Sequence, residues 1–283
     1  MNPGNIEILA YEDTPLGLLC LRRRELLGDP GTFVTEITLN HEFLMSSLNT
    51  ASERALASLA HEEWRAGRAS AGGGEEPTAA RVLIGGLGLG YTAQAALALP
   101  KVGQVDVIEL LPPVITWLEE GLVPLSDELN ADARLRLIEG DAYEQLVSLA
   151  QPGGDPFADL GIAEWALRES GQSAAAPPEP VPLDAYDLIL IDIDHSPDDR
   201  LGGLGSEVRA SDRFYTEEGL QAVKRHLAPG GVLAVWSYEE SSPFAEAMSA
   251  SFDVTRFEPV TFETLLIEEE PTDWIFLGRD AEI

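Results

Sequence analysis

From Arg81 onward the chain alternates short apolar runs with stretches of helical spacing, and this alternation limits the fold more than any other feature. The runs at 82–84, 105–108, 135–138, 188–191 and 232–236 precede helical patterns at 92–99, 113–120, 143–150, 216–227 and 244–251. Runs this short and apolar read as strands buried on both faces. Strands that alternate with helices assemble into a mostly parallel sheet joined by right-handed crossovers. Further strands at 254–260 and 274–277 close the expected sheet at seven. Leu227-Ala228-Pro229-Gly230-Gly231 reads as the stop of a helix before the chain re-enters the sheet.

The first 67 residues follow another pattern. Ile6-Glu7-Ile8-Leu9, Leu18-Leu19-Cys20-Leu21 and Phe33-Val34-Thr35-Glu36-Ile37 are strand-like. Thr14-Pro15-Leu16-Gly17 carries turn chemistry between the first two, so a small antiparallel sheet is expected. Leu44, Leu48, Ala51, Ala55 and Leu59 predict a helix over 44–60. A linker over 68–80, rich in glycine and glutamate, separates this unit (1–67) from the main one (81–283). Within the latter, 151–184 holds Gln-Pro-Gly-Gly-Asp-Pro and Ala-Ala-Ala-Pro-Pro-Glu-Pro and reads as a surface insertion with a short helix over 162–169.

Composition excludes several classes. Apolar residues at 45% and charged residues at 24% describe a soluble globular chain. No apolar run approaches the ~20 residues of a membrane span. Residues 1–10 lack a basic flank followed by an apolar core, and Cys20 has no second cysteine to pair with, so a cytoplasmic protein is expected. Asp and Glu number 49 against 18 Lys and Arg, a net charge of −31 that repels nucleic-acid phosphates. Only Lys101 and Lys224 are lysines, and the acids are spread along the whole chain. We read that as solvation suited to high salt, in preference to a surface for binding cations such as polyamines. The four histidines, His41, His61, His195 and His226, have no metal-ligand spacing, so no metal is expected.

Four features carry candidate chemistry. Gly85-Gly86-Leu87-Gly88-Leu89-Gly90 follows the first strand of the main unit and opens a helix. Gly86, Gly88 and Gly90 there permit a tight turn and let backbone N–H groups approach a ligand. Glu109 ends the next strand, 23 residues beyond Gly86, where a carboxylate accepts hydrogen bonds from a ribose diol and repels a 2′-phosphate. Asp141 and Ala142 follow the third strand over the same crevice, with Asp141 suited to an adenine amino group, to capping the next helix, or to both. Asp192 ends the fourth strand at the carboxyl edge, where α/β sheets place reacting groups, with Asp194 and His195 just beyond.

In this order the features resemble the class I S-adenosylmethionine-dependent methyltransferase superfamily, and most closely its spermidine synthase (polyamine aminopropyltransferase) branch. His41-Glu42-Phe43 is similar to that family's Asp-Glu-Phe. Phe214-Tyr215-Thr216 with Leu227-Ala228-Pro229-Gly230-Gly231 resembles its Leu-Tyr-Thr and Leu-x-Pro-Gly-Gly, and Ser242-Pro243-Phe244 its Ser-Pro-Phe. The resemblance implies a Rossmann-like α/β fold behind a small N-terminal antiparallel sheet, a homodimer, and a donor that is S-adenosylmethionine or its decarboxylated form. It also implies an aminopropyl transfer to an amine, with Asp192 taking the amine proton or orienting the amine and Asp194 anchoring a second ammonium. Some positions depart from the family. Leu87, Gly88 and Leu89 stand where it carries an aspartate, Met45 replaces a tyrosine, and Trp236 replaces a glutamine. Methyl transfer to a small acceptor, and a fold that has lost its chemistry, therefore stay open as alternatives.

Overall fold

The computed structural model describes residues 6–26, 29–70, 79–147, 185–193, 197, 210–262 and 271–281. The predicted insertion at 151–184 and its helix, as well as Asp194 and His195, lie outside them.

The chain opens with a four-stranded antiparallel sheet in the order β1-β2-β3-β4: β1 (Ile6–Thr14), β2 (Gly17–Glu25), β3 (Phe33–Leu39) and β4 (Glu42–Ser46). The fourth strand takes up residues 44–46 of the helix expected over 44–60. Its cause is the turn before it. Asn40 and His41 both take left-handed φ values, 51° and 70°, which a two-residue hairpin requires, and Leu39 then pairs with Glu42. Asn40 fixes the neighbouring hairpin too, because its Oδ1 accepts from the Leu18 N–H and its Nδ2 donates to the Leu16 carbonyl. Helix α1 (Ala51–Ser70) therefore starts seven residues later than expected and runs three residues into the predicted linker.

A seven-stranded sheet follows: β5 (Ala80–Gly85), β6 (Val102–Glu109), β7 (Leu135–Glu139), β8 (Tyr186–Ile191), β9 (Leu227–Ser237), β10 (Val254–Thr261) and β11 (Thr272–Arg279). Its order is β10-β11-β9-β8-β5-β6-β7, with β11 antiparallel to both neighbours and β5 to β9 mutually parallel. The helices between them are α2 (Tyr91–Ala98), α3 (Pro112–Glu119), α4 (Ser126–Ala131), α5 (Ala142–Val147), α6 (Ala210–Phe214), α7 (Glu217–Lys224) and α8 (Ser242–Ser251). This is the Rossmann-like class I methyltransferase fold behind a small antiparallel sheet, as expected. One local reading fails. Leu227 does not end a helix but pairs with Tyr186 as the first residue of β9, and Gly230 at φ 72° absorbs the register shift.

Side chains alternate along the parallel strands, as the strand period demands. Leu188 and Leu190 join one apolar cluster with Leu56, Ala60 and Trp64 of α1, whereas Ile189 and Ile191 join another with Leu146, Phe214 and Phe244. The first cluster also contains Leu19, Leu21 and Ile37, so the small sheet shares the core of the large one. One fully buried charge is paired. Asp106 is fully buried, and its carboxylate receives Arg136 at 2.9 Å and the Tyr186 hydroxyl at 2.7 Å. No described helix is long and apolar enough to cross a membrane.

Candidate active site

β5 lies between β6 and β8, so the chain leaves it first towards one side of the sheet and later towards the other. The crevice at the carboxyl end of such a switch point is where open α/β sheets bind ligands. Gly86, Gly88 and Gly90 all have left-handed φ there, and the Gly90 N–H closes the turn on the Leu87 carbonyl. At Gly86 the requirement is absolute: φ is 90°, and a Cβ would stand 2.3 Å from the Asp192 carbonyl oxygen. At Gly88 a Cβ would meet the Met45 sulfur at 2.8 Å, so the small sheet comes directly against the turn.

Glu109 points into this turn. Oε2 accepts the Leu87 N–H and Oε1 the Leu111 N–H, both at 2.8 Å, and the residue is buried. Burial pushes its carboxyl pKa up, while the surrounding N–H groups, Leu111 first, oppose the shift. The Gly88 and Leu110 N–H groups act on the same carboxylate, so it is held by backbone donors on both sides of the crevice. Asp141 does something different. Its Oδ1 accepts the Glu144 N–H at 3.1 Å and so caps the first turn of α5, and burial again pushes its carboxyl up. Ala142 is buried beside the glycine turn, 3.1 Å from where a Cβ on Gly85 would stand.

Asp192 follows β8 immediately. Its N–H donates to the Gly85 carbonyl at 2.9 Å, and its Oδ2 accepts the Thr92 hydroxyl at 2.6 Å. Desolvation lifts its carboxyl to about 6; the Thr92 hydrogen bond opposes this and the negative charge of Asp273 adds to it. Two further carboxylates converge on it that the sequence reading did not single out. Glu53, in the first turn of α1, is pushed up to about 8, chiefly by burial and then by the charge of Asp192. Asp273 of β11 accepts the Ser52 hydroxyl and, at 3.1 Å, the Trp236 indole N–H, and burial raises it as well. Nothing local marks this pair. Glu53 reads as an ordinary acid in a first helical turn, and Ser52 and Asp273 are 221 residues apart. Trp236, noted in the sequence only as a substituted glutamine, turns out to present its N–H to one of them. Among the described residues no group of three His, Cys, Asp or Glu is arranged to hold a metal ion.

The crevice thus has two unlike sides. Beside β6, backbone N–H groups surround Glu109 at the glycine turn. Around β8, β11 and α1, three carboxyl groups lie close enough to raise one another's affinity for protons.

No protein-family model matches the chain. Over 158 residues, 55% of its length, it is 30% identical to polyamine aminopropyltransferase 2 of Streptomyces coelicolor. The matched stretch is 21% of that protein, so the chain spans about a fifth of this curated relative. Its fold matches the crystal structure of a spermidine synthase in complex with the transition-state analogue AdoDATO, with a TM-score of 0.59 at 15% identity, over 96% of this chain and 73% of that one. The spermidine synthase from Thermotoga maritima matches with a TM-score of 0.56, also at 15% identity, over 96% of this chain and 71% of that one. In sequence, therefore, the chain is a relative of a polyamine aminopropyltransferase, and its fold is that of the spermidine synthases.

Proposed function

We propose that the protein is a transferase that moves an aminopropyl group from decarboxylated S-adenosylmethionine to an amine. The observation that carries the reading is the convergence of Glu53, Asp192 and Asp273 beside the glycine turn that holds Glu109. The donor supplies a carbon on a sulfonium; the amine nitrogen forms its C–N bond there as the C–S bond breaks, and methylthioadenosine leaves with the electron pair. Glu109 and the turn hold the ribose. Asp192 accepts the proton that the amine gives up, and a carboxyl poised near pH 6 suits that exchange. Asp273 offsets the positive charge of the incoming amine, and Glu53 joins it once that charge has drawn off the proton that burial holds on its carboxyl. Action in the cytoplasm goes with this reading, and so does pairing of two copies. Ile6, Ile8, Phe33 and Phe43 on the small sheet are exposed apolar side chains, and a monomer mass in sedimentation equilibrium would exclude the pairing.

One observation favours methyl transfer instead. Leu87 and Leu89 are buried in the glycine turn, which therefore offers no carboxylate of its own to an aminopropyl ammonium. Calorimetric titration with S-adenosylmethionine, its decarboxylated form and methylthioadenosine separates the readings. Tighter binding of the decarboxylated donor is expected. Tighter binding of the carboxylated one would establish the methyl-transfer alternative, and binding of neither would leave a fold without this chemistry. Asp192→Asn is expected to abolish turnover while donor affinity stays within about threefold. Unaltered turnover would remove Asp192 from the reaction.

A further inference from the structure

Asp273 sits second in β11, the strand that runs against both its neighbours in the sheet. One of its oxygens, Oδ2, accepts both the Ser52 hydroxyl from α1 and the Trp236 indole N–H from β9. A single atom therefore ties the helix leaving the small sheet to two strands of the large one. Ser52 is buried at 3% exposure, so this tie lies inside the fold.

We propose that Asp273 is a positioning residue for the acceptor side of the site: it anchors the first turn of α1 so that Glu53 is held towards Asp192, and it fixes the indole of Trp236 beside them. The inference rests on the amine-transfer reading for its consequence, although the anchoring itself does not need that reading. The titratable groups that feel the charge of Asp273 are Glu53 on α1 and Asp192 after β8, and Glu53 also feels the Arg54 guanidinium. The partner of Asp273 on β10 is Val260, which carries no charge. Without the anchor, Ser52 loses its acceptor and nothing on β11 holds the first turn of α1, so Glu53 is no longer kept beside Asp192. A cationic acceptor then meets Asp192 without its preset neighbour.

Asp273→Leu keeps the bulk and removes both the charge and the acceptor oxygens, and two readouts test it. In the substrate-free protein, the Asp192 carboxyl, followed by carbon NMR with selectively labelled aspartate, is expected to titrate lower by about half a pH unit, because one neighbouring negative charge is gone. In turnover with 1,4-diaminobutane, KM is expected to rise about tenfold with kcat within threefold and donor affinity unchanged. Ser52→Ala cuts one arm only. It is expected to raise KM a few-fold while the Asp192 titration stays in place, and it keeps the test open should the leucine variant fail to fold. An unmoved Asp192 titration together with an unmoved KM would overturn the role of Asp273. Should the wild type transfer no aminopropyl group, the function proposed above falls. The NMR titration then decides Asp273 by itself, and an unmoved curve would sink it.

Discussion

Exchanging Glu53 for glutamine keeps the outline of the first turn of α1 and removes a proton that the fold retains up to about pH 8. Burial is the main cause, the charges of Asp192 and Asp273 add to it, and the Glu53 backbone N–H and the Arg54 guanidinium oppose it. In the unfolded chain the same carboxyl ionises near its ordinary value of 4.5. A carboxyl whose proton is held more tightly in the folded state contributes stability that is fully present below pH 4.5. That contribution is lost as the pH rises through about 8. At 1.36 kcal/mol per pH unit the whole span is roughly 5 kcal/mol, an upper bound for a side chain that is only partly buried and interacts with Asp192. Solvent screening and side-chain relaxation bring the expected figure to about 1–3 kcal/mol. Glu53→Gln is thus expected to be more stable than the wild type at pH 9 by that amount, and equal to it at pH 4. Urea unfolding across this pH range, in molar salt to suppress long-range repulsion among 49 acids, measures the difference. Parallel stability curves for the two proteins would refute the argument that Glu53 is held protonated.

Two further substitutions probe the nucleoside side. Gly86→Ala puts a Cβ 2.3 Å from the Asp192 carbonyl oxygen in a backbone at φ 90°, so a loss of about 3 kcal/mol or more is expected. Thermal unfolding reads this as a Tm lower by about 6–12 °C, and an unchanged Tm would show that the turn is not as tight as described. Glu109→Ala removes the acceptor of the Leu87 and Leu111 N–H groups, and methylthioadenosine is expected to bind about 10- to 100-fold more weakly. Calorimetry checks this, and undiminished affinity would take Glu109 out of the binding site.

What could be read from the chain depended on how local each signal was. The strands from 82 to 236 announce themselves because each is a short apolar run with a helical stretch behind it, and the position of Glu109 and Asp192 at strand ends follows from that register. β4 was hidden by a coincidence of spacing. Leu44 and Leu48 continue the periodicity of α1 backwards, and the turn that overrules it depends on left-handed φ at Asn40 and His41, a pair without the glycine that usually marks such a hairpin. The entry of β9 was misread for the opposite reason, because Pro229-Gly230-Gly231 looks like a helix stop wherever it stands. Glu53 and Asp273 were illegible on other grounds. Their meaning comes from the antiparallel placement of β11 beside β9 and from the packing of α1 across β8 and β9, neither of which any short window records.

The sharing of one apolar cluster by the two sheets bears on how this chain could be shortened or recombined. Leu19, Leu21 and Ile37 pack with the strands of the large sheet, and Met45 abuts the glycine turn, so β1–β4 stand as a wall of the crevice. A fragment cut at Gly72 would retain the ribose-holding half but bare an oily flank. A chimera would have to import β1–β4 and α1 as one block, because the anchor of Asp273 and the cover over the glycine turn travel together.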